Sequence, residues 1–131
     1  MIYKIDNIMR ENRMARGRAL DEDILTDSTY CIMLTLVRPM HGYGIMQEIE
    51  KNSKGEMIIG PASLYTIIKK LQNAELISLV EDDEERRKTY TLTLKGKVLL
   101  KKDINRRLIM VRRGEEALKY LEGDDINGKE E

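Results

Sequence analysis

The sequence predicts a mainly α-helical fold with one small β-hairpin, and three observations predict it. Apolar residues recur at helical spacing through most of the chain. The period switches to alternation in one place only, across ISLVE at 77–81 and TYTLTL at 89–94, with a run of charged residues between them. Helical spacing then resumes and persists to about Leu121. At 131 residues the chain can bury one core, and the absence of Phe and Trp means that core is built from Leu, Ile, Val, Met and Tyr.

Charge and cysteine usage narrow the function classes. Lys plus Arg and Asp plus Glu are equal at 23 each, so no global basic excess announces nucleic acid, and a case for it must rest on local asymmetry. Cys31 is the only cysteine, which excludes an intrachain disulfide and multi-cysteine zinc sites; within the run YCIMLTLV it reads as a small buried hydrophobe. No apolar run has membrane-spanning length, and a soluble, cytoplasmic protein is the expectation. One histidine and one cysteine, with no glycine-rich phosphate loop, offer no nucleophile and base to pair, so no enzyme, metal or cofactor is expected.

Residues 1–24 read as an amphipathic helix, with Ile2, Ile5 and Met9 on one face, that runs into a basic linker holding Arg10, Arg13, Arg16 and Arg18. Thr26, Asp27 or Ser28 then caps a second helix, with Tyr30, Met33, Leu34 and Val37 as its core face and an end before Pro39. Pro39 to Gly42 reads as a turn, where His41 has a turn or cap role. A short helix follows over Tyr43 to Asn52 with Ile45, Met46 and Ile49 inward, closed by Asn52 to Gly55, and Glu56 to Ile59 is extended.

The helix over about residues 61–74 carries the argument. Pro61 suits a first helical turn, where its missing N–H would be unsatisfied anyway. Leu64, Ile67, Ile68 and Leu71 share one face, which leaves Ala62, Ser63, Thr66, Lys69 and Lys70 on the other. Alone, this describes any surface helix. Small, hydroxyl-bearing and cationic side chains are nevertheless what a helix needs to enter a groove and meet phosphates.

Two short helices followed directly by a hairpin make a winged helix-turn-helix, spanning residues 25–94. The hairpin tip, or wing, covers 81–88. Its cationic half, Arg86, Arg87 and Lys88, is suited to phosphates, whereas the five carboxylates at 81–85 lack the glycine and spaced ligands of a calcium loop and read as a solvated turn. Thr93 is positioned to cap a long helix, assigned to 95–122. Ile104, Leu108, Val111 and Leu118 form a seam for another helix, so this is the expected dimerisation element. Its charge is polarised, basic from Lys95 to Arg113 apart from Asp103 and then mainly acidic, which suits antiparallel pairing. Residues 123–131 read as a polar tail.

Three strings in order carry a resemblance: Met40-His41-Gly42-Tyr43-Gly44-Ile45; Gly60-Pro61-Ala62-Ser63-Leu64-Tyr65 with Leu71 and Leu76-Ile77; and Arg86-Arg87-Lys88-Thr89-Tyr90-Thr91-Leu92-Thr93 with Gly96. From about Leu25 to Leu100 the chain resembles the PadR family of transcriptional regulators, in the short subgroup with a single C-terminal dimerisation helix. The resemblance implies a homodimeric winged helix-turn-helix protein, usually a repressor, on a partly palindromic operator in double-stranded DNA. It also implies that Ser63, Tyr65, Thr66, Lys69 and Lys70 approach DNA with Arg87 and Lys88 on the backbone. Two positions depart from the family pattern: Glu75 stands where a glycine usually ends the recognition helix, and Gly44 where a polar residue is common. Some short members bind flat aromatic drugs between tryptophans; this chain has no Trp, so that mode does not carry over, and a small-molecule effector is left open. The alternative reading is a winged-helix protein–protein interaction module without sequence-specific DNA binding.

Overall fold

A computed structural model describes residues 24–82 and 87–128. Its elements are α1 (Asp27–Thr35), β1 (Met40–His41), α2 (Gly42–Asn52), α3 (Pro61–Asn73), β2 (Ile77–Asp82), β3 (Lys88–Leu92) and α4 (Leu94–Gly128). The strands form one antiparallel sheet in the order β1-β3-β2. The expected N-terminal helix and basic linker, apart from Ile24, and the wing residue Arg86 lie outside the described residues.

Thr26 caps α1, its hydroxyl accepting from the Thr29 amide at 3.2 Å. The expected core face of this helix needs correction. Ile32, Met33 and Leu36 are fully buried, whereas Leu34 and Val37 are exposed and Tyr30 is half-buried. The helix stops at Thr35, and the Leu36 carbonyl accepts from the Leu92 amide and the Thr91 hydroxyl, which draws the chain toward β3 and turns Val37 outward. Cys31, expected to be buried, is half-buried.

Met40 and His41, expected to lie in a turn, form β1 instead, with Met40 opposite Tyr90 and His41 opposite Thr89. A two-residue strand carries no period, and its partner is some fifty residues away, so local pattern does not announce it. His41 also caps α2, its Nδ1 accepting from the Gly44 amide at 3.1 Å. Ile45 and Ile49 are buried as their spacing requires. Lys54 and Gly55 end the turn with φ of 55° and 82°, and the Ser53 hydroxyl accepts from the Met57 amide, after which 56–60 runs without strand pairing.

In α3, Leu64, Ile68 and Leu71 are buried and Ile67 is partly so, as the spacing requires. The end of this helix is built around Glu75, which has φ 61°. The Leu76 amide bonds back to the Leu71 carbonyl and the Glu75 amide to Gln72, the hydrogen bonding of a left-handed helix stop. The next carbonyls are satisfied from α4: Lys95 Nζ donates to Ala74 at 3.0 Å and the Thr93 hydroxyl to Glu75 at 2.7 Å.

β2 pairs with β3 from Ile77 opposite Leu92 to Asp82 opposite Lys88, with a bulge between Leu79 and Glu81. The second strand ends at Leu92 rather than Leu94, because Thr93 leaves the sheet to cap α4 by accepting from the Gly96 amide at 3.0 Å. A β-carbon at Gly96 would lie 2.1 Å from the Leu76 carbonyl oxygen, so this glycine lets α4 cross directly over the end of α3. Leu99 and Leu100 then enter the core, and Ile104 packs partly against it. The expected boundary at 122 is also corrected: α4 continues through Gly128. No proline interrupts 123–128, and a helix already formed propagates through residues of modest propensity.

Candidate nucleic-acid interface

The outer face of α3 follows from its inner one. With Leu64, Ile68 and Leu71 buried, helical geometry sets Ala62, Thr66, Lys69 and Asn73 farthest from the core. Each of these four is exposed. Tyr65 lies on the flank toward α2, and Ser63 and Lys70 lie on the flank toward α1.

The Tyr65 flank meets the sheet. A cleft of about 310 Å³ is lined by His41, Gly42, Tyr43, Tyr65, Arg87, Lys88 and Tyr90. It therefore brings together the start of α2, the side of α3 and the root of the wing. Of the sequence-predicted residues, Tyr65, Arg87 and Lys88 share this cleft, and Thr66 and Lys69 stand beyond its α3 wall. Lys70 does not join them: it lines a separate cleft of about 500 Å³ with Leu25, Thr26, Thr29, Ile67 and Asn73. Ser63 is exposed on that same side of α3.

Tyr65 is held in place by Gly42. A β-carbon at Gly42 would stand 2.3 Å from the Tyr65 hydroxyl oxygen, so the ring occupies space that only glycine leaves open. Gly42 is buried beneath it, while Tyr65 remains half exposed and lines the cleft. The sequence reading missed Tyr43, which is exposed at the start of α2 and lines the same cleft. Its adjacency to Arg87 and Lys88 depends on the β1–β3 pairing, and helical periodicity does not signal that pairing.

The charge run on α4 divides in two. Arg106 and Arg107 are tied to Asp103, whose carboxylate is fully buried: Arg106 bonds Oδ1 through Nε and Nη2, and Arg107 Nε bonds Oδ2 at 2.6 Å. Arg107 also bonds Asp27 at 2.9 Å and the Leu25 carbonyl at 3.1 Å, and its guanidinium stacks 3.9 Å from the Tyr30 ring centroid. Although burial works against the Arg107 charge, hydrogen bonds to Asp103 and Asp27 outweigh it and raise its pKa above the ordinary value. Burial also raises Tyr30 and Cys31, each opposed by the nearby Arg107 charge. In contrast, Lys97, Lys101, Arg112 and Arg113 are exposed.

The four seam residues also separate. Ile104 is partly buried against its own winged unit, whereas Leu108, Val111 and Leu118 are exposed. From Met110 to Glu122 every residue of α4 is exposed, Tyr120 and Leu121 among them. Met110 Sδ accepts from Arg106 Nη1 at 3.4 Å, and beyond it the helix is an arm whose apolar side chains stay exposed among the described residues of its own chain. Among those residues no group of His, Cys, Asp or Glu could hold a metal ion, and no helix is long and apolar enough to cross a membrane.

Comparison with known proteins gives this arrangement relatives. The chain is similar to a PadR-like transcription factor from Bacteroides fragilis at 26% identity, over 72% of this chain and 88% of that one, with a TM-score of 0.52. A transcriptional regulator from Clostridium thermocellum shares the fold at 20% identity, over 69% and 90% of the two chains, with a TM-score of 0.59. Bacillus subtilis PadR in complex with operator DNA shares it at 24% identity and a TM-score of 0.50, over 56% of this chain and 44% of that one. No curated protein sequence matches the chain. A family model described as the transcriptional regulator PadR-like family matches residues 32–102, more than half of the chain and nearly all of the winged unit. The chain therefore belongs to the PadR-like family, whose members are transcriptional regulators and not enzymes.

Proposed function

We propose that this protein is a homodimeric, sequence-specific DNA-binding repressor. In this reading α3 enters the major groove and the wing lies on the adjacent backbone. The observation that carries it is the meeting of Tyr65 with Arg87 and Lys88 around one cleft, next to an outermost α3 face of Ala62, Thr66, Lys69 and Asn73. Small and polar side chains at the apex can approach base edges, and cations at the margins can hold phosphates. Further support comes from Bacillus subtilis PadR, a protein of the same fold that binds operator DNA. The reading as a protein-binding module has no comparable support among the described residues.

The homodimer is supported by the arm. Leu108, Val111 and Leu118 are roughly half exposed, uncovered among the described residues, and a second copy in antiparallel pairing would cover them and set basic against acidic segments. A two-fold dimer then reads a pseudo-palindromic site with half-sites about one helical turn, roughly 34 Å, apart. Such a regulator acts in the cytoplasm with its DNA. The test is selection of bound DNA from a random pool, followed by titration against salt. Lys69→Ala and Lys88→Ala should each flatten the salt dependence by about one unit of slope per lost phosphate contact. Unchanged slopes in both variants would remove α3 and the wing from the interface.

A further inference from the structure

The network at Arg107 does more than neutralise a buried carboxylate. It lies close to the place where α4 leaves the winged unit: Asp103 is buried, Ile104 to Arg107 are half-buried, and Met110 to Glu122 are exposed. Every donor atom of the Arg107 guanidinium has a different anchor, with Nε on Asp103, Nη1 on Asp27 and Nη2 on the Leu25 carbonyl, and the plane is fixed against Tyr30. One planar group thus ties α4 to the lead-in of α1, to its first turn and to its first ring. A guanidinium can span three separated anchors because its donors sit on three nitrogens in one rigid plane, whereas an ammonium carries all its donors on a single nitrogen.

We infer that Arg107, oriented by Asp103, is a positioning residue that fixes the direction in which the α4 arm leaves the winged unit, and so sets the half-site spacing that the dimer accepts. The inference rests on the DNA-binding dimer proposed above. Leverage makes the point sensitive. The helix beyond Met110 extends about 28 Å at 1.5 Å per residue, so a swing of about 7° moves its far end by ~3.4 Å, the rise of one base pair. Stability alone needs no such arrangement, since a buried ion pair is commonly replaced by apolar residues without loss. Three separate anchors for one side chain constrain an angle.

Two variants of the full chain test this. Arg107→Met removes all the bonds, and Arg107→Lys keeps a charge beside Asp103 but cannot span the three anchors, so it guards against a mere folding failure. Lys51→Met, an exposed charge on α2, is the control. Spin labels at Gln47→Cys on α2 and Lys119→Cys on the arm, in a Cys31→Ser background and diluted with unlabelled chain, report the distance within one chain. The expected result is a narrow distribution for the parent and the control, and for both Arg107 variants a broad one whose mean is displaced by about 3 Å or more. In DNA selection the Arg107 variants should keep the parental half-site sequence but accept spacers one base pair longer or shorter. Unchanged distance distributions in both variants overturn the inference, and so does an unchanged spacer preference alongside broadened distances. If the parent itself selects no DNA, the DNA-binding reading fails, and the distances still decide whether Arg107 holds the arm.

Discussion

Glu75 offers the sharpest test of how this fold is held together. Its φ of 61° puts an L side chain in the left-handed region, which costs about 1–2 kcal/mol for a residue with a β-carbon. Glycine removes that cost but gives the unfolded chain more freedom, worth about 0.5–1 kcal/mol in the opposite direction. The stop itself survives the change. Its amide bonds to Gln72 and Leu71, and the Thr93 hydroxyl bond to the Glu75 carbonyl, all use main-chain atoms of residues 75 and 76. Glu75→Gly should therefore stabilise the protein by about 0.5–1 kcal/mol, raising the melting temperature by roughly 2–6 °C for a unit of this size. Glu75→Ala is the necessary companion, because it removes a carboxylate from the negative end of α3 while leaving the β-carbon. That change alone is worth only a few tenths of a kcal/mol. The assay is urea unfolding at constant m-value, so that a shift in midpoint reports stability. If Gly and Ala gave equal stabilities, the left-handed backbone at residue 75 would not be costing what its φ implies, and the reasoning would fail.

Three other outcomes follow from the same geometry. Gly96→Ala places a β-carbon against the Leu76 carbonyl, a main-chain group also held by the Thr93 amide at 3.0 Å. Overpacking of about 2–3 kcal/mol should outweigh the ~1 kcal/mol gained in helix propensity, a net loss visible in urea unfolding. Gly42→Ala meets only the mobile end of Tyr65, so the ring should swing aside with under about 1 kcal/mol lost, while DNA binding in a gel-shift titration weakens measurably. Burial holds the Cys31 thiol above its ordinary 9.0, so its stabilising effect is intact below pH 9 and is lost as the pH rises past the raised value. Iodoacetamide at pH 8 should accordingly modify the folded protein more slowly than the urea-unfolded chain, and equal rates would contradict the shift.

What the sequence made legible was local. The inner face of α3, the Pro61 start, the hairpin and the Thr93 cap all depend on residues within a few positions of one another, where spacing and cap chemistry act directly. The features that escaped it depend on distant partners. β1 exists because Met40 and His41 find Tyr90 and Thr89, and Val37 is exposed because Leu36 is drawn to Leu92. Arg106 and Arg107 look, in sequence, like two more members of a basic run. Both pair locally with Asp103, at i,i+3 and i,i+4, but only the packing of α4 against α1 shows that Arg107 reaches Asp27 as well.

The candidate interface combines both kinds of information. Thr66 and Lys69 were readable from α3 alone, since a helix with a known inner face has a known outer one. Tyr65 enters the sequence reading only through the family resemblance, and Gly42 supplies a structural reason for its place on the flank of α3. A side chain at 42 would displace the ring, and without the ring the α2–α3 pair would lose a contact and the cleft one wall. The glycine that opens α2 and the tyrosine that flanks α3 are thus one device, split across twenty-two residues of sequence. β1, immediately before Gly42, is paired to the strand that begins with Lys88, and this sets the Gly42–Tyr65 pair beside the root of the wing. The short strand that periodicity could not reveal is therefore what aligns the two surfaces that periodicity could.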